Sequence, residues 1–142
     1  MIRLYYSAAL YTVLGLASGL YYRELTKAQD FVGDTQLSTV HTHLLALGML
    51  FFLVILTLEK AFTLSDSRLF TPFFWIYNAG LVLTATMLTV HGSMTVLGVS
   101  AGSAIAGIAG LGHILLTIGL VLLFLALRGK VKATGKAQLP RS

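Results

Sequence analysis

Charge is the scarcest thing in this sequence: 10 Lys and Arg and 5 Asp and Glu in 142 residues, or 11%, against roughly 25% in a soluble globular domain. Charged side chains hold a folded surface in water. With 56% hydrophobic residues and a mean hydropathy of +0.84, too few are present to coat a body of this size, so the solvent for most of the chain is lipid. A soluble enzyme is excluded. No nucleophile–base pair, phosphate loop or paired carboxylate occurs, so hydrolytic and transferase chemistry has no support and no catalytic residue is assigned.

Four apolar stretches approach the roughly 20 residues that a membrane-spanning helix needs. They lie at about 4–22, 38–58, 70–91 and 103–127, with Arg23, Glu24 and Lys27 closing the first, Glu59 and Lys60 the second and Arg128 the fourth. Short links join them. The expected fold is an all-α integral-membrane four-helix bundle over 1–128, followed by a basic tail at 129–142. The first stretch reads as a retained helix rather than a cleaved signal peptide, because its apolar run is long and Tyr21-Tyr22-Arg23 resembles an interfacial anchor.

The net charge of +5 does not point to nucleic acid. Half of the basic residues, Arg128, Lys130, Lys132, Lys136 and Arg141, fall in the tail beside the last span, which marks the cytoplasmic side. Arg3, Lys60 and Arg68 share that side, while Arg23 and Lys27 on the other are diluted by Glu24, Asp30 and Asp34. Both termini are therefore expected in the cytoplasm of a multi-pass plasma-membrane protein.

No cysteine is present, which removes thiolate zinc sites, iron–sulfur clusters and covalent haem attachment. Metal chemistry would fall to the four histidines, His41, His43, His91 and His113. All lie in or at the ends of spans, where an ionisable group is costly and marks a functional site by default. At 1.5 Å per residue His43 lies roughly 8 Å and His113 roughly 15 Å below the non-cytoplasmic surface, so all four belong to the outer half of the bilayer. His41 and His43 point about 200° apart on a regular helix and cannot hold one ion together.

Small residues lie nearby. Gly48 shares the His41 face, and Gly110 with Ala106 and Ala109 lies at helical spacing from His113, a floor on which a flat macrocycle could rest. Haem b held by imidazoles fits this set best. Arg23 and Lys27, on the histidine side, are candidate partners for its propionates. Copper or zinc bound by three or four of the histidines is the alternative, and helix-locking histidines in a non-haem assembly partner of a respiratory complex are a third reading.

The run Ser38-Thr39-Val40-His41-Thr42-His43-Leu44-Leu45-Ala46-Leu47-Gly48-Met49-Leu50-Phe51-Phe52 resembles the haem-ligating helices of the catalytic subunit of haem-copper oxidases and nitric oxide reductases. There a His near the outer end of a helix precedes a Gly/Met/Phe-rich run, and one helix carries a His-x-His pair serving two haems. That subunit has three arcs of four helices, and this chain looks like one arc. The resemblance implies that His41 and His43 are axial haem ligands facing opposite ways, in electron transfer or in binding of O2 or NO. No His-His dipeptide matches the family's copper site. If one chain is one arc, a homo-oligomer is expected, a trimer before a dimer, with haem between His43 of one chain and His41 of its neighbour; the alternative joins His43 or His41 to His113 or His91 within one chain, and the redox partner is unidentified.

Overall fold

The computed structural model describes residues 1–100 and 102–137, which form an all-α chain of four long helices. The first is Ile2–Ala28. The second is Leu37–Phe62, interrupted by a π-helical segment at Leu44–Leu50. The third is Phe70–Val96 and the fourth Ser103–Ala137.

Each helix outruns the span expected from the sequence, because charge ends a membrane span without ending a helix. Arg23, Glu24 and Lys27 sit in the last turns of the first helix. His91 does not close the third, which continues to Val96. The segment expected as a tail from 129 is helical through Ala137; residues 138–142, Arg141 among them, lie outside the described residues.

The second helix stops at Phe62, four residues beyond the expected 58, and the cause is local. Buried Glu59 turns its carboxylate onto the following loop, where it accepts the Ser65 backbone N–H at 2.8 Å and the Ser65 hydroxyl. Thr63 takes a left-handed φ of 47°, the helix stop that glycine more often provides.

Among the described residues three helices are long and apolar enough to cross a membrane: Leu37–Phe62, Phe70–Val96 and, within the fourth, Gly107–Ala133, with mean hydropathies of 2.1, 1.5 and 2.4. The first is as long, but Tyr5, Tyr6, Tyr11, Tyr21 and Tyr22 dilute it.

The helices pack in chain order, and the first and fourth do not touch among the described residues. The result is an open arc where a bundle was expected. The reason lies in where the closest approaches fall. Between the third and fourth helices glycines let backbones meet: a Cβ on Gly80 would stand 2.7 Å from the Leu116 nitrogen, and one on Gly119 2.9 Å from the Tyr77 Cβ. Nothing comparable draws the fourth helix to the first.

The core is aromatic and lies toward the Phe62 end of the second helix. Tyr11 stacks on Phe52 at 5.8 Å, Phe51 on Tyr77 at 4.2 Å, and Phe52 meets Phe74 edge-on at 5.9 Å. Aromatic pairs of this kind contribute about 0.5–1.5 kcal/mol beyond their buried area. The π segment is held by the same residues. A π turn leaves carbonyls out of the regular ladder, and the Tyr77 hydroxyl donates to one of them, Leu47 O, at 2.9 Å.

Candidate functional site

Contacts fix the register of the three inner helices. Gly92 lies on Leu37 while Tyr77 meets Phe51 and Phe52, so the second and third helices run antiparallel. Gly80 lies on Leu116, Thr84 on Gly112 and Tyr77 on Gly119, so the third and fourth do too. In this register Thr86 is level with both His43 and Gly110, and Leu83 with both Ala46 and His113. The two imidazoles differ in depth by about 4.5 Å.

The faces of the third helix fix the handedness. Gly80 and Thr84 meet the fourth helix, Phe74 and Gly92 the second, and Asn78 the first, whose Tyr11 hydroxyl donates to Asn78 Oδ1 at 2.7 Å. At about 100° per residue these faces follow one another clockwise seen from the amino end. The second and fourth helices therefore flank an open angle over Thr84, Leu88, His91 and Thr95, a stripe at three- and four-residue spacing. His113 stands about 100° from Gly112, on the side of that angle. His43 stands about 120° to one side of Leu37 and His41 about 40° to the other.

Local hydrogen bonds set the state of both groove histidines. His43 Nδ1 lies 2.9 Å from Thr39 O, and His113 Nδ1 lies 3.1 Å from Ala109 O. A ring nitrogen facing a carbonyl oxygen donates to it, so in the neutral imidazole Nε2 holds the lone pair, the form a metal needs. Beneath them the Thr84 hydroxyl is fully buried with no hydrogen-bond partner.

The other two histidines go elsewhere. His41 leans on the first helix, where a Cβ on Gly19 would stand 3.7 Å from its Cβ, and its Nδ1 is buried without a partner. It is thus committed to its own first helix, not presented to a neighbouring chain as the cross-subunit pairing with His43 requires. His91, its Nδ1 also buried and unpartnered, lines an open surface depression of about 510 Å³ with Asp34, Thr35, Gln36, Ser38, Thr39 and Thr95. No three His, Asp or Glu side chains converge among the described residues, so one chain does not assemble the three- or four-histidine copper or zinc centre.

Two supporting residues are placed differently from the expectation. Gly48 is no cofactor floor, because Tyr11 fills the space: a Cβ there would stand 2.5 Å from the Tyr11 Cβ. Arg23 has a side chain 73% exposed beside Glu24, on the first helix, across the second helix from the groove. Its propionate role is lost with that placement; Lys27 is likewise exposed on the first helix. A Cβ on Gly110 or on Gly107 would meet no neighbouring atom within 4 Å. Thr39 and Thr84 were missed as site residues; two threonines in a threonine-rich chain carry no signal until the helices are packed.

Residues 1–130 match a family described as "Protein of unknown function (DUF2871)". The chain belongs to that family. No curated protein and no solved structure matches it.

Proposed function

We propose that this chain is an integral-membrane b-type haem protein in which His43 and His113 supply the axial nitrogens, serving electron transfer or the binding of O2 or NO. The observation that carries this reading is that two imidazoles on different helices, His43 and His113, each hold Nδ1 against the carbonyl four residues earlier. The residues fit the group. Neutral imidazole ligates iron, and Nε2 of each ring is the nitrogen left for it.

When bound, haem supplies one-electron exchange or gas ligation at its iron. The chain's part is to hold and to exclude. The Thr39 and Ala109 carbonyls keep the proton on Nδ1 and so keep Nε2 basic. Leu47 and Leu88, packed against the core, keep water from the floor. The open side of the angle is where a second copy closes over the group, as a trimer or dimer. In this reading the first helix also spans, both termini are cytoplasmic and the membrane is the plasma membrane.

Detergent-purified protein tests it by its absorption spectrum. Wild type and His41→Ala are expected to show a Soret band and the pyridine haemochrome of haem b, while His43→Ala and His113→Ala each lose at least ten-fold of the haem. A colourless wild type from haem-supplied cells, or full haem in the double variant, refutes the proposal.

A further inference from the structure

Charge is divided unevenly between the two ends of the helices. At the end where the second helix stops and the fourth runs on lie Arg3, Lys60, Arg68, Arg128 and Lys132, all exposed. The helix register brings them to one level. Tyr77 meets both Phe51 and Gly119, and Gly80 meets Leu116; extended along antiparallel helices, these contacts put Lys60 and Arg128 both opposite Arg68. Gly48 lies on Tyr11, which places Arg3 opposite Leu56, one turn in from Lys60, and its long side chain can reach the same layer. Lys132 stands one turn further out than Arg128.

The carboxylates at this end, Glu59 and Asp66, do not answer these cations. Buried Glu59 is turned onto Ser65, and Asp66 is paired with Lys130 at 3.3 Å. Arg3, Lys60, Arg68, Arg128 and Lys132 have no ion pair or hydrogen bond among the described residues. At the opposite end Arg23 lies 3.8 Å from Glu24, and Lys27 is followed by Asp30 and Asp34. Anions are therefore attracted to one end alone.

What covers this surface follows from where it stands. The second, third and fourth helices are apolar enough to cross a membrane, so their charged ends meet its headgroup layer. Tyr5, Tyr6 and Trp75, all exposed, lie just inside the cations, at the depth where amphipathic rings mark that layer.

We infer that Arg3, Lys60, Arg68, Arg128 and Lys132 form a docking surface for the phosphates of anionic phospholipids in the adjoining leaflet. A guanidinium takes a phosphate through paired N–H donors, and a lysine ammonium adds a point charge. Phosphatidylcholine carries its own cation beside its phosphate and gains little here, whereas a net-negative headgroup gains in full. The surface shares no residue with the haem reading and does not depend on it.

The full chain, reconstituted in phosphatidylcholine vesicles with a trace of spin-labelled phosphatidylglycerol or phosphatidylcholine, gives the test through the fraction of label immobilised at the protein. One basic residue beside an anionic surface is worth about five-fold in association. Wild type is therefore expected to prefer phosphatidylglycerol about five-fold at about 0.1 M salt and to lose most of that preference at about 1 M, where charges are screened beyond about 3 Å. Arg3→Gln, Lys60→Gln, Arg68→Gln, Arg128→Gln and Lys132→Gln together are expected to abolish the preference, and Lys27→Gln to leave it unchanged. Equal binding of the two lipids by wild type, or a preference that survives the combined substitutions, overturns the surface. If the combined variant does not fold, wild type decides by its salt dependence, since a preference that ignores salt overturns the surface too. Displacement of the labelled lipid by inorganic phosphate at matched ionic strength would assign the site to free phosphate and overturns lipid docking.

Discussion

Gly92→Ala adds one methyl group at the tightest crossing of the second and third helices. The new carbon would stand 2.8 Å from both the Cα and the Cβ of Leu37, and closer still to its nitrogen, where ordinary contact begins at 3.4 Å. The two carbons alone ask the second helix to retreat by 3.4 − 2.8 = 0.6 Å, and the nearer nitrogen asks for more. Backbone atoms have no rotamer to offer. Overpacking of this kind costs about 1–3 kcal/mol. The retreat also strains the 2.8 Å bond from the Thr35 hydroxyl to Gly92 O, adding about 1 kcal/mol. Alanine's better helix propensity returns about 1 kcal/mol. The net is about 2 kcal/mol, which lowers the melting temperature by roughly 4–8 °C for a chain of this size. Gly107→Ala is the control, since a methyl there meets nothing within 4 Å and gains only propensity. Thermal melts of the two variants in one detergent give the comparison. Equal melting of Gly92→Ala and wild type, or an equal fall in both variants, would refute the packing assigned to this crossing.

Tyr77→Phe removes the hydrogen bond to Leu47 O in the π segment, at a cost of about 0.5–1.5 kcal/mol; amide exchange over Leu44–Leu50 should quicken, and unchanged exchange would sink the idea that Tyr77 holds the π turn. Glu59→Ala strips both Ser65 bonds from the turn after Phe62, a loss of about 1–3 kcal/mol. It should expose residues 63–69 to protease, whereas Glu24→Ala, at a surface acid, should not; equal cleavage of the two variants would count against the role given to Glu59. With the haem and lipid tests above, these address the core, the loop, the candidate site and the charged end separately.

The helices were readable because each is a long apolar run bounded by charge, and the histidines because they are rare polar groups in that background. The boundaries were less readable. Nothing in Lys60 or His91 says that a helix continues into the water layer, and Thr63, a residue that resists the left-handed region, gives no warning of the stop it makes. The π segment was invisible because Leu44–Leu50 is as good an α-helix as any by composition; a tyrosine 30 residues away selects the alternative. Likewise Gly48 and Gly110 look alike in the chain, and only packing makes one a seat for Tyr11 and the other open.

The sequence alone therefore determined the solvent, the helical class and the short list of ligating side chains, since these depend on composition and local periodicity. The tertiary structure decided where each histidine lies relative to the others. That depends on the register and handedness with which three helices meet, set by contacts such as Gly92 with Leu37 and Gly80 with Leu116, between residues far apart in the chain. It also decided that the helices form an arc, because the glycines that permit close approach lie on faces turned toward only some of the neighbours.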